Sequence, residues 1–202
     1  KLQRLDAETL RDTMLAAAGL INPSPFGPPA TIARDPLGRI VVGKEKLNAN
    51  RDVTKVEPNG HEDFRRSIYV QVRRKLPLTV LEPFDAPVMQ PNCELRTNTT
   101  VAPQSLMMMN DNFVLEAAHN LATHLRSEVP DDARAQIVNA WRILFGRSPK
   151  DADVQRALAY IAAQTEALRN YHHGIQHAKN TPAPDPQLDA LASYCQVLFS
   201  SN

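Results

Sequence analysis

Residues 64–77 read FRRSIYVQVRRKLP. Arg65, Arg66, Arg73, Arg74 and Lys75 flank an alternation in which Ile68, Val70 and Val72 are the apolar members. Such period-2 alternation predicts a short strand with one apolar face, although the run is also brief enough for a short helix. In a strand, Arg73 and Arg74 point to opposite faces. Both could not then serve one surface. The reading therefore decides whether these cations form a strip for a polyanion or an internal part of the fold.

Proline organises the chain around this stretch. Eleven of the 16 prolines fall between residues 23 and 103. Proline lacks the N–H donor and clashes with the preceding turn, so long helices cannot run through such spacing. A first helix is expected over about residues 6–18, with Asp6 as N-cap, Leu10, Met14 and Leu15 as its apolar stripe, and Gly19 as its stop. A short strand at Arg39–Val42 follows the turn-forming DPLG. The polar run KLNANRDVTKVEPNGHEDF reads as irregular.

Beyond Pro103 the period becomes helical. Thr99 or Thr100 can cap a short helix over PQSLMMMN, and Asn110 or Asp111 a longer one to about Ser127 along Phe113, Ala117, Leu121 and Leu125. A third helix spans about Asp132–Phe145, with Ile137, Ala140, Trp141, Leu144 and Phe145 inward and Gly146 as its end. Ser148 and Pro149 suit the cap and first position of a fourth, to about Asn170, carried by Val154, Leu158, Ile161, Thr165 and Leu168. KNTPAPDP is a linker, and a last helix from about Pro186 buries Leu188, Leu191, Cys195, Leu198 and Phe199. The expected fold is mainly α: a helical bundle over residues 104–202, and a proline-rich, partly extended region over 1–103 with at most a small β element. The N-terminal region has too little periodic apolar surface for its own core, so the 202 residues are expected to form one cooperative domain.

Composition excludes several functions. With 23 basic and 22 acidic residues the net charge is +1, unlike a dedicated nucleic-acid binder, which needs an excess of cations facing phosphates. No 18-residue apolar run exists, so no membrane span is expected. There is no C-x-x-C-H, G-x-G-x-x-G or P-loop, hence no covalent haem and no nucleotide cofactor on this chain. Cys195 lies on an apolar stripe and reads as a buried thiol, while nothing pairs it with Cys93. The chain opens at Lys1 without a Met, in the run-up to a helix, and reads as a fragment or processed product.

Five features carry candidate chemistry. Arg66, Arg73, Arg74 and Arg96, with Asn98 of TNTT, could clamp a carboxylate, sulfate or phosphate through planar guanidinium forks. The competing reading is internal pairing with Glu82, Asp85 and Glu94, or with loop carbonyls. Asp85 of EPFDAP could be a general acid or base partnered by Glu82, but Asp near a turn proline is more often a turn-former. His173 and His177, four apart, could share a helix face for a metal, although Gly174 weakens the helix and no acidic or Cys ligand adjoins them. The methionines of SLMMMND are core contacts rather than haem ligands. TNTT is by default a helix cap.

RLDAETLRDTML, RRSIYVQVRRKLPLTVLEPFDAP, RTNTTVAPQSLMMMND, FGRSPKDADVQRALAYI and LASYCQVLFSSN occur in one order across nearly the whole chain. Together they resemble the C-terminal domain of unknown function, PSD-one type, of planctomycete cytochrome-associated proteins. That resemblance implies an extracytoplasmic (periplasmic, secreted or cell-surface) multidomain parent. In it, a cytochrome c domain and other upstream domains are partners, and the c-type haem sits on another domain. It brings no catalytic residues. Three functions remain open: a non-haem module that positions partner domains or binds a substrate such as polysaccharide, a carbohydrate-active enzyme using Glu82 and Asp85 with arginines, and a structural or cell-surface interaction domain.

Overall fold

The computed structural model describes residues 5–50, 52–87, 99, 101–173 and 184–201, without the side chains of 172 and 173. Its described residues form α1 (Ala7–Ala17), β1 (Ile32–Arg34), β2 (Ile40–Val42), β3 (Lys44–Leu47), β4 (Val53–Glu57), α2 (Ala102–Asn110), α3 (Asn112–Glu128), α4 (Ala133–Phe145), α5 (Asp151–His173) and α6 (Pro186–Ser200). The protein is mainly α, with most of the helix in its C-terminal half and two small two-stranded sheets in its N-terminal half. Two compact units emerge: residues 1–16 with 20–107, and residues 17–19 with 108–202.

In the first unit, β1 and β2 pair antiparallel with Ile32 opposite Val42. Their turn is built by Asp35, whose carboxylate accepts from the N–H groups of Leu37 (3.0 Å) and Arg39 (2.8 Å) and from Arg39 Nε (2.7 Å). Partial burial pulls the Asp35 carboxyl upward, but these Arg39 and Leu37 bonds outweigh it and hold the group below its usual range. Ile32, Ile40, Val70 and Leu78 form the apolar core, flanked by Val42, Leu76, Val80 and Leu81.

Most of a hairpin lies in the run read as irregular, its first strand starting two residues before it. β3 and β4 pair antiparallel, with a register shift between Lys46 and Leu47. Asn48 closes the turn, its Oδ1 accepting from the N–H groups of Asn50 and Asp52, both at 2.9 Å. Gly43, between the sheets, is required by space: a Cβ there would lie 2.4 Å from Val56 Cγ1, at a φ of +149°.

The opening stretch is not a strand. Ser67–Tyr69 form a single 3₁₀ turn, and Val70 makes only an isolated parallel bridge to Ala30. Of the three alternating residues Val70 alone is buried, while Ile68 is 78% and Val72 69% exposed. The tight turn breaks the period: backbone polar groups here bond outward to residues 22 and 30 and to side chains of α1, rather than to a ladder. Arg73 and Arg74 therefore do not divide between two sheet faces. They lie in a turn closed by Leu76 N–H to Arg73 O (3.0 Å), and both are exposed.

The second unit is a helical bundle in which α3 and α6 supply most of the core. Val114, Ala117, Ala118, Leu121, Ala122 and Leu125 of α3 meet Leu191, Cys195, Leu198 and Phe199 of α6 within it. Aspartates cap three of the helices. Asp111 accepts from Phe113 N–H, Asp132 from Ala135 N–H, and Asp185 from Gln187 and Leu188 N–H. Gly146 ends α4 in the left-handed conformation at φ 64°. The start of α5 is displaced: Asp151 is its first residue, and Asp153 reaches back to Lys150 N–H at 3.2 Å, so Lys150 takes the cap position expected of Ser148. Cys195 is a buried free thiol, pushed up to about 12 by burial. Among the described residues no helix is long and apolar enough to cross a membrane.

Candidate functional site

The signature stretch turns its first arginine inward. Arg65 is 2% exposed. Its Nη1 donates to Pro28 O at 2.7 Å, and its Nη2 to Ser24 O at 3.3 Å and to Phe26 O. Its guanidinium lies 4.3 Å from the Tyr69 ring centroid and 3.5 Å from Glu62. Its buried Nε meets no acceptor among the described residues. The loop Ser24–Pro28 is thus gathered around one fork of donors, with Phe26 in the left-handed region at φ 61° and 82% exposed.

A second buried arginine completes the frame. Arg11 of α1 donates to Arg65 O (2.9 Å), Asp63 O (2.9 Å) and Ser67 Oγ (3.3 Å). Burial pulls its guanidinium down to about 10, against the opposing pull of Asp12 and Asp63, so it is cationic at neutral pH. Asp12 accepts from Ser67 N–H and Ser67 Oγ, both at 2.7 Å. These groups satisfy backbone that has no ladder partner, which is the role internal arginines take in loop-rich regions.

The anion-site candidates are not gathered into one clamp. Arg66 is exposed and lies 3.7 Å from Asp12. Arg73 and Arg74 point to solvent. Arg96 and Asn98 lie outside the described residues. Glu82 is exposed at the start of a 3₁₀ turn that Asp85 ends in the left-handed conformation at φ 57°. The Asp85 carboxylate accepts from Thr99 N–H (2.8 Å) and Thr99 Oγ1 (3.0 Å). Gln104 Nε2 bonds Thr99 O (3.0 Å) and Pro83 O (2.9 Å), tying the same corner to α2. Thr99 thus serves Asp85, and the α2 N-terminus is closed by Gln104 Oε1 accepting from Val101 N–H at 3.3 Å.

The sequence of this frame is recognisable. Residues 1–161 match a family described as PSD1, protein of unknown function (DUF1553). The chain belongs to that family. No curated protein and no solved structure matches it.

In this PSD1 member the histidine candidates form no site within the described residues. The His173 side chain and all of His177 lie outside them. Among the described residues no group of three or more His, Cys, Asp or Glu is placed to hold a metal. His124 lies on α3, 3.4 Å from Glu128. Within the bundle, an aromatic chain connects α4, α5 and α6. Trp141 Nε1 donates to Tyr194 OH at 2.9 Å, the Tyr160 and Tyr194 rings are 6.3 Å apart, and Tyr160 OH pairs with Ser193 Oγ at 2.7 Å. Burial raises the Tyr194 phenol above its usual value, although the Trp141 bond opposes this. The sequence marks Trp141 only as a core residue, because its helical spacing is that of Ile137 and Leu144.

Proposed function

We propose that this chain is a non-haem module of a larger extracytoplasmic, cytochrome-linked protein. It positions partner domains or binds a substrate, with polysaccharide the favoured class, and carries no electrons itself. The haem belongs to an upstream cytochrome domain, as the sequence resemblance implies. The observation that carries this reading is the inward turn of Arg65, which commits the centre of the family signature to three loop carbonyls instead of to a ligand. The engagement of Asp85 by Thr99 supports it over acid–base catalysis, because the carboxylate is committed to holding the corner that leads into α2.

The test has two readouts. The purified chain is mixed with the cytochrome domain of its parent in sedimentation velocity, and run through gels containing polysaccharides. Association with the haem domain, or retardation by a polysaccharide without release of reducing ends, is expected. A tightly bound redox cofactor in the purified chain, reducing-end release, or failure to bind either partner would overturn it.

A further inference from the structure

We propose that an open cleft at the C-terminal ends of α4 and α6, lined by Trp141, Leu144, Phe145, Arg147 and Ser201, binds a neutral pyranoside unit of a polysaccharide. The inference rests on the substrate-binding half of the reading above and gives it a place and a ligand chemistry.

Four observations carry it. The cleft holds about 600 Å³, within the range of small-ligand sites. Its apolar wall is aromatic: the Trp141 and Phe145 rings meet edge-on, with centroids 5.1 Å apart at 67°. A sugar ring has one face of C–H groups that packs on such a corner, and hydroxyls around its rim. The wall is also held in place, since the indole N–H is bonded to the buried Tyr194 phenol, which sits in the chain of Tyr160 and Ser193. That is preorganisation, which lowers the ordering cost of binding.

The polar groups then select the ligand. Arg147 lies over Trp141 (4.8 Å) and within 5.9 Å of Phe145, and it is in no ion pair among the described residues. Ser201 Oγ donates to Leu198 O at 2.8 Å and keeps lone pairs to accept. α4 ends at Phe145 and α6 at Ser200, each leaving last-turn carbonyls without helical partners. Each helix end counts as roughly half a negative charge, so two of them offset about one Arg147 cation. The cleft is close to neutral yet rich in both donors and acceptors. A carboxylated or sulfated sugar gains nothing from that balance, whereas a neutral polyol can satisfy both kinds of group.

The chain has a single tryptophan, so its fluorescence reports this cleft alone. The whole chain is titrated with cello-, xylo-, manno- and laminari-hexaose, with oligogalacturonate as the acidic control. We expect a saturable change with at least one neutral hexaose. Its Kd should move less than about twofold on raising salt from about 0.05 to about 0.5 M, because no ion pair forms. Arg147→Ala, at an exposed position, should weaken binding by about tenfold, the scale of one lost hydrogen-bonding anchor, with the thermal midpoint unchanged. Trp141→Phe, followed by gel retardation, should weaken binding similarly. Tighter, salt-sensitive binding of oligogalacturonate would overturn the neutral assignment. Retardation by a polysaccharide that both variants keep would overturn the cleft and leave the substrate-binding reading standing. No binding of any glycan would overturn the cleft and the polysaccharide half of that reading together.

Discussion

Val70→Ala separates the observed 3₁₀ turn from a strand more sharply than any other substitution in the signature. Val70 is 7% exposed in the cluster of Ile32, Ile40 and Leu78, whereas Ile68 and Val72 are mostly in solvent. Removing two buried carbons costs about 1.6 kcal/mol at ~0.8 kcal/mol each, and the residual cavity raises this to about 2–3 kcal/mol. Ile68→Ala and Val72→Ala delete carbons that water already touches, so each stays within about 0.5 kcal/mol of wild type. Trp141 belongs to the second unit and Val70 to the first. Native-state hydrogen exchange is therefore read at the amides of Ala30, Gly43 and Gln71, which are bonded to Tyr69, Thr31 and Ala30. Their opening free energies should fall together by about 2–3 kcal/mol in Val70→Ala and hold in the other two variants. Equal losses in all three variants would restore the strand and refute the packing described.

Other consequences are equally open to measurement. Gly43→Ala forces a methyl to 2.4 Å from Val56 Cγ1, and should cost the hairpin about 2–4 kcal/mol by denaturant titration; a neutral effect would contradict the close approach. For Asp185, burial raises the carboxyl, but Leu188 N–H, Arg126 and Gln187 N–H more than compensate, so its folded pKa lies below the ordinary 3.8. Its contribution is whole above 3.8 and is lost as pH falls through the folded value. Thermal midpoints taken from about pH 6 down to about pH 3 should therefore drop less steeply in Asp185→Asn, which keeps the cap acceptor but loses the charge and the half-exposed Arg126 pair, at a cost of under about 1 kcal/mol near neutral pH; parallel curves would contradict this. In a Cys93→Ser background, Cys195 should resist iodoacetamide at about pH 8 and react fully in denaturant, since burial holds its thiol near 12; native-state labelling would place it elsewhere.

The bundle was legible because its helices are amphipathic and their ends carry chemistry. Asp111, Asp132 and Gly146 mark boundaries that the structure keeps, and the last helix begins at Pro186 as read. Ser148 misleads because Asp153 bonds the N–H of Lys150, two residues after it. The β3–β4 hairpin was invisible for a different reason: Lys44–Leu47 are all exposed, so no hydropathy contrast marks the strand. In the signature, Arg65 and Arg66 are adjacent and identical in type. What distinguishes them is a set of carbonyls near residues 24–28, some 37 to 41 positions away, which local pattern cannot report. Asp85 was legible as a turn residue, and the structure adds Thr99 as its partner. The cleft was hidden because Trp141 obeys core spacing even though one side of it reaches solvent.

The basic signature is a frame, with Arg65 as its keystone and Arg66 at its surface. Chemical denaturation of Arg65→Met beside Arg66→Met tests it directly. Arg65→Met strands the carbonyls of Ser24, Phe26 and Pro28, and at about 1–3 kcal/mol each, with part recovered by water, the loss should reach about 3–5 kcal/mol. Arg66→Met breaks only an exposed pair at 3.7 Å and should cost under about 1 kcal/mol. Equal losses, or a stable Arg65→Met protein, would contradict the account.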